Sequence, residues 1–127
     1  MKRIVVIEDN VMAANLYQTA LTRDGYRVEV APDGEAGLAA IARSSPDLVL
    51  LDLMLPKVDG FEVLRRIRAT PDLATLPVII TSNAYTAPRL EELRQAGATQ
   101  IVTKSSLSPK ELARVVRQTL EQLEPKS

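Results

Sequence analysis

Short apolar runs alternate along the chain with segments in which apolar residues recur every three or four positions. The runs are Arg3 to Ile7, Tyr26 to Val30, Asp47 to Leu51, Pro77 to Thr81 and Thr99 to Val102. They are rich in Val, Ile and Leu with little polar alternation, which predicts strands buried on both faces, as in a parallel sheet. The segments between them predict five helices, so the order is the βαβα of an α/β fold with helices on both sides of the sheet.

The first helix is expected to bury Ala13, Leu16, Tyr17, Ala20 and Leu21, the i, i+3, i+4, i+7, i+8 stripe of one face, and to end at Gly25. The second runs from about Asp33 to Arg43, with Gly37, Ala40 and Ile41 inward. The third opens at Asp59-Gly60-Phe61-Glu62, a D-x-x-E form of the capping box, and buries Val63, Leu64 and Ile67. The fourth starts near Thr86 with Pro88 in its first turn, buries Leu90 and Leu93, and stops at Gly97. The fifth opens at Ser108-Pro109-Lys110-Glu111 and turns Leu112, Val115, Val116, Leu120 and Leu123 inward. The polar tail Glu124 to Ser127 follows it.

Composition narrows the chemistry. At 127 residues, with no repeat or linker, one domain over 1–127 is expected. Sixteen basic and 16 acidic residues cancel, so no overall field draws the chain to nucleic acid or an anionic membrane. No apolar stretch reaches the roughly 18 residues of a membrane span and no secretory leader is visible, so a cytoplasmic location is expected. The chain has no cysteine and no histidine. That excludes thiolate and imidazole ligands, Ser-His or Cys-His catalysis, and a phosphohistidine on this chain. A metal bound here must be hard and oxygen-ligated, such as magnesium (Mg²⁺) or Mn²⁺. The phosphate loops G-x-x-x-x-G-K-S/T and G-x-G-x-x-G are absent.

Parallel strands all end on one edge of their sheet, so the residues that follow them converge. Glu8 and Asp9 follow the first strand, and Asp52 follows the third. Thr81, Ser82 and Asn83 end the fourth, and Lys104 follows the fifth. Three carboxylates at one edge repel each other unless a cation or a proton compensates, which points to a metal site. A phosphoryl group at such a metal would meet Lys104 and a hydroxyl, with Asp52 as the central carboxylate and natural nucleophile. Several of these residues also have plainer roles. Asp9 or Asn10 can cap the first helix, and Asp59 reads as a cap. Thr81 should point away from Ser82, and Arg65, Arg66 and Arg68 read as a solvated helix face.

The motifs Val6-Ile7-Glu8-Asp9-Asn10, Asp52-Leu53-Met54-Leu55-Pro56-Lys57-Val58-Asp59-Gly60, Pro77-Val78-Ile79-Ile80-Thr81-Ser82, and Gly97-Ala98 followed by Lys104 occur in that order. In them the chain resembles, over essentially its whole length, the response-regulator receiver domain of two-component signalling. The resemblance implies a flavodoxin-like (βα)5 doubly wound parallel sheet of order 2-1-3-4-5. It implies that Asp52 accepts a phosphoryl group from a phosphohistidine on a sensor histidine kinase or phosphotransfer protein. Glu8, Asp9, Asp52 and the backbone carbonyl of Met54 would hold Mg²⁺. Ser82 and Lys104 would contact phosphate and, through the fourth helix, fifth strand and fifth helix, switch a face for a downstream effector. Such a domain catalyses its own phosphorylation and is not a turnover enzyme. No direct nucleic-acid or membrane contact is expected, and a weak homodimer through the fourth and fifth helices is left open.

The chain departs from the family pattern in three places. Ile101 stands where an aromatic switch residue is usual, and Ser105 follows Lys104 where a cis proline is usual. Without proline a cis peptide costs about 2.5–4 kcal/mol, so a trans bond is expected. Asn83 replaces a small alanine beside the pocket. Met54 and Ala84, which flank the path of an attacking water, cannot orient it, so a long-lived phosphoryl group is expected. Tyr85 reads equally as a surface residue or a stand-in for the missing aromatic. Two other functions compete with the phosphoacceptor. A haloacid-dehalogenase-type phosphatase needs a second acid two residues after the nucleophile, where Met54 stands. A phosphorylation-independent receiver-like binding module is favoured by Ile101 and Ser105 and opposed by the acidic trio with Lys104.

Overall fold

The computed structural model describes residues 1–83 and 87–123. Five strands, β1 (Arg3–Ile7), β2 (Arg27–Ala31), β3 (Leu48–Asp52), β4 (Val78–Ser82) and β5 (Gln100–Thr103), pair in parallel in the order 2-1-3-4-5. Between and after them run α1 (Val11–Arg23), α2 (Gly34–Ser44), α3 (Gly60–Ala69), α4 (Ala87–Gln95) and α5 (Pro109–Leu123). This is the doubly wound, flavodoxin-like arrangement that the alternation of patterns predicts.

Alternation along the buried strands divides the core into two layers. Ile4, Val6, Leu48, Leu50 and Ile79 face α1 and α5, where Tyr17, Leu21, Leu112 and Val116 cover them. Val5, Ile7, Val49, Leu51 and Ile80 face the other way, onto Ile41, Val63, Leu64, Ile67 and Leu93 of α2, α3 and α4.

Four strands, β2 to β5, start one residue later than the apolar runs suggest. Tyr26 N–H donates to Leu21 C=O in the turn that closes α1, and Asp47 takes up Arg3 through both its backbone and its side chain. Pro77 has no N–H to give. The same strands also end one residue later, so Asp52 and Ser82 belong to the ladder, Asp52 paired in register with Thr81 and Ser82 with Thr103.

Helix ends follow local chemistry. Asn10, not Asp9, caps α1 by accepting from Ala13 N–H, while Asp33 and Asp59 cap α2 and α3. The capping box of α3 is only half made, since Glu62 turns to Arg65 and Arg66. On α5, Ser108 Oγ accepts from Glu111 N–H, and Glu111 turns to Arg114.

Three expectations need correction. Leu16 is 45% exposed and Ala14 is buried in its place, because the α1 stripe is rotated toward Tyr17 and Ala20. Leu90 is half-buried and leaves Leu93 as the fully buried residue among the described side chains of α4. Arg68 is not part of a solvated face. Its guanidinium donates to Gly97 C=O and Leu76 C=O and is half-buried. Two 3-10 turns, Pro71–Leu73 and Lys104–Ser106, are an addition. Thr86, Tyr85, Ala84 and the tail from Glu124 lie outside the described residues, as do the side chains of Pro88 and Leu123.

Gly60 shows how tightly the strand end is held. A Cβ there would run into the Asp52 carbonyl and meet Leu53 Cα at 2.7 Å and Leu53 O at 2.8 Å, all backbone atoms that cannot yield cheaply. Gly60→Ala is therefore expected to destabilise the fold by about 1–3 kcal/mol, the usual cost of overpacking, measured as a lower urea midpoint at unchanged slope.

Candidate metal and phosphoryl site

Each acidic residue is carried to the carboxyl edge of the sheet by a hydrogen-bonded backbone. Glu8 N–H donates to Ala31 C=O at 3.0 Å, so β2 holds the first residue beyond β1 in place. Asp52 is the last residue of β3, and the next amide, Leu53 N–H, donates to Thr81 C=O at 2.9 Å. Lys104 follows β5 directly, opening the 3-10 turn.

These three side chains meet. Lys104 Nζ lies 2.6 Å from Glu8 Oε1 and 3.0 Å from Asp52 Oδ2. The carboxylates of Glu8 and Asp52 are 1% and 5% exposed and the lysine 16%. The second oxygen of Asp52 accepts from Met54 N–H at 3.2 Å, and the second of Glu8 accepts from Asn10 N–H at 3.1 Å. Asp9 is exposed at the mouth, and Glu8, Asp9 and Asp52 each bring a carboxylate oxygen within 4.8 Å of the others. Ser82 is buried at the end of β4. Thr81, its buried neighbour, alternates to the opposite side of the ladder. Met54 is 73% exposed at the rim.

The electrostatics follow from that geometry. Burial raises the Glu8 carboxyl above its ordinary value, with the Lys104 ammonium and the Asn10 N–H bond pulling the other way. Burial also disfavours the Lys104 ammonium, but its bonds to Glu8 and Asp52 outweigh this and hold it above the ordinary lysine value. One cation thus serves two buried carboxylates, with a third acid nearby.

The donor set fits a hard divalent cation. It is all oxygen, and it carries more negative charge than Lys104 balances. Glu8 Oε1 is buried with no hydrogen bond, its contact with Lys104 being an ion pair outside hydrogen-bond geometry. Such an atom retains lone pairs for a metal.

The departures can also be placed. No cis peptide occurs among the described residues, so Lys104–Ser105 is trans, as expected. Ile101 is half-buried against the core layer of α2, α3 and α4. It also lines a cavity of about 210 Å³ with Leu90 and Arg94, away from the carboxylates. Asn83 is exposed. Arg68, which sequence reasoning missed, lies far from this edge, and nothing in its charge pattern marks it as different from Arg65 and Arg66.

A doubly wound sheet of this order with an acidic pocket and a lysine at its carboxyl edge defines a narrow class of protein. The sequence profile of the response regulator receiver domain matches residues 4–117, and the chain belongs to that family. Receiver domains are signalling domains that bind Mg²⁺ at an acidic pocket and work with histidine kinases and effectors. The chain is 45% identical over 80 residues to the transcriptional regulatory protein AfsQ1 of Streptomyces coelicolor, covering 63% of this chain and 34% of that protein. It is 38% identical over 116 residues to the DNA-binding dual master transcriptional regulator RpaA of Synechocystis, covering 91% of this chain and 48% of the relative. Its fold superposes on the Vibrio cholerae chemotaxis protein CheY4 with a TM-score of 0.88 at 23% identity, covering 94% and 98% of the two chains. The chain spans half or less of the length of the curated relatives it matches. No described helix is long and apolar enough to cross a membrane.

Because the Lys104 ammonium is held above its ordinary value of 10.5, its stabilisation is fully present below that pH and lost as the pH rises through the folded-state value. Lys104→Met, measured without divalent ions, is expected to destabilise the fold at pH 7 by about 3 kcal/mol, typical of stripping one partner from a buried ion pair. The deficit should shrink as the pH falls toward 4.5 and Glu8 takes up a proton. Chemical denaturation at several pH values checks this, and a deficit independent of pH would mean that the lysine contributes packing alone.

Proposed function

We propose that this chain is a phosphoacceptor whose acceptor is Asp52. One observation carries the reading: the Asp52 carboxylate is buried at the end of β3, 3.0 Å from Lys104 Nζ and beside Glu8 and Asp9. An oxygen of Asp52 attacks the phosphorus of a phosphohistidine on a sensor histidine kinase or phosphotransfer protein. The P–N bond breaks, imidazole leaves, and an acyl phosphate forms on Asp52. Lys104 meets the charge on the phosphoryl oxygens, and Ser82, buried one strand away, supplies a hydroxyl to them. Glu8, Asp9, Asp52 and the Met54 carbonyl hold Mg²⁺. When bound, Mg²⁺ neutralises charge on the transferring group.

The chain contributes positioning and charge, and it has no second acid for turnover: two residues on from Asp52 stands Met54, an apolar rim residue. The domain works as a single unit in the cytoplasm and passes its state through α4, β5 and α5 to a downstream effector. AfsQ1 and RpaA are named as transcriptional regulators. For this chain the corresponding output is a protein partner or an attached domain, without direct contact to nucleic acid by the residues of the receiver fold.

Incubation with Mg²⁺ and acetyl phosphate should add one phosphoryl group by intact mass, and Asp52→Asn should take none. An unmodified wild type, or an adduct that survives Asp52→Asn, would reject the reading in favour of a phosphorylation-independent binding module. Met54→Asn combined with Ala84→Glu puts polar side chains at the two positions that the sequence leads one to expect beside attacking water, and should shorten the adduct lifetime about tenfold or more. The decay of the adduct mass measures it, and an unchanged lifetime would count against Met54 as the cause of slow hydrolysis.

A further inference from the structure

Arg68 is a strongly engaged, half-buried side chain that the site does not use. It sits in the last turn of α3, half-buried, and its bonds go to backbone carbonyls of three other segments. Nε and Nη2 both donate to Gly97 C=O, at 2.9 and 2.7 Å. Nη1 donates to Leu76 C=O at 2.6 Å, with a longer bond to Leu73 C=O at 3.4 Å. Nη2 also reaches Thr99 Oγ1, which in turn accepts from Val78 N–H at the start of β4. No carboxylate pairs with it among the described residues, and burial lowers its pKa accordingly. A half-buried guanidinium whose bonds run to backbone carbonyls and a strand-edge hydroxyl is a mechanical tie between elements.

The place of that tie gives it meaning. Helix α4 leaves the carboxyl edge of the sheet after β4 and runs to the amino edge, where β5 begins. It ends in a Schellman turn, with Ala98 N–H on Leu93 C=O and Gly97 N–H on Arg94 C=O. Gly97 has φ +105°, and a Cβ there would meet Arg68 Nε at 2.7 Å, so the turn is shaped around the Arg68 stem. The core grips α4 at the same end, through Leu93. Toward its start the described contacts are weaker: Leu90 is half-buried, and exposed Arg89 lies over the Phe61 ring at 4.9 Å.

We infer that Arg68 is a positioning residue that fixes the Gly97 end of α4 as a pivot, so that rearrangement driven from the phosphoryl site moves the Ala87 end of the helix. The inference rests on Asp52 being the phosphoacceptor only for its second arm. Amide hydrogen exchange on the full chain tests it, with Arg68→Ala and the milder Arg68→Lys alongside wild type. Without phosphodonor, Arg68→Ala should speed exchange at Gln95 to Thr99 at least tenfold over wild type while the amides of Val63 to Ile67 change less than threefold. Arg68→Lys, with a point charge in place of a fork, should fall between. Loss confined to global unfolding, equal at both sets of amides, would overturn the inference. With acetyl phosphate and Mg²⁺, and the adduct verified by mass, wild type should change at residues 89–92 and not at 94–99. In Arg68→Ala the change should spread to 94–99. A wild-type response that runs through Gly97, or the same pattern in both proteins, overturns the pivot. A missing adduct overturns the phosphoacceptor reading and leaves the first arm to decide on Arg68.

Discussion

Everything at the functional edge depends on one ammonium group between two buried carboxylates. Glu8 and Asp52 bring two buried carboxyl groups together, and Lys104 Nζ at 2.6 and 3.0 Å supplies their countercharge. The three residues come from three strands that are distant in sequence, so the ion pairs also stitch β1, β3 and β5 together at their carboxyl ends. The arrangement is incompletely satisfied. Glu8 Oε1 has an ion pair but no hydrogen bond, and Asp9 stands exposed beside it. Under the proposed function, such a pocket would take a cation and an anion brought in with it.

The fold serves that pocket through close backbone contacts as well as side chains. The path from Asp52 into α3 turns so tightly that Gly60 N–H donates to Leu53 C=O at 2.9 Å, leaving no space for a Cβ. Gly34, at the start of α2, packs against Val58 of the same loop. The segment carrying Met54 is thus braced from both ends, while Met54 itself projects into solvent. Under the proposed phosphoacceptor function, a braced backbone with an exposed rim suits a reaction partner that arrives on another protein.

Much of this was legible in the chain because a buried parallel sheet leaves continuous apolar runs, and because its strand ends must converge. Glu8, Asp9, Asp52, Ser82 and Lys104 could be placed from those two facts. Strand starts are displaced by one residue where hydropathy does not register the backbone: the Tyr26 amide is engaged in the turn after α1, and Pro77 has none to give. Leu16 was misassigned because Ala14 and Leu16 both fit a helical stripe, and only packing against α5 decides its rotation. Arg68 was unreadable for a different reason. Its partners are carbonyl groups, which every residue has, so no pattern of side chains distinguishes it from Arg65 and Arg66, whose guanidiniums bind Glu62.

Ile101 bears on how such a site would be felt at the surface. It pairs in register with Ile80, one residue before Thr81, and packs into the layer shared with Ala96 and Ala98. A β-branched side chain has few χ1 rotamers and, half-buried, cannot trade a buried position for an exposed one as a large planar ring can. Under the proposed phosphoacceptor function, coupling by rotamer exchange at this position is therefore closed. Displacement of whole elements is a route that Ile101 leaves open, and it requires one element to be held more loosely than its neighbours. Helix α4 meets the requirement: among its described side chains only Leu93 is fully buried, and both that residue and the Arg68 clasp lie toward its far end. The replacement of the aromatic and the presence of the clasp are then two sides of one constraint, since a helix that must move as a body needs a fixed point to move about.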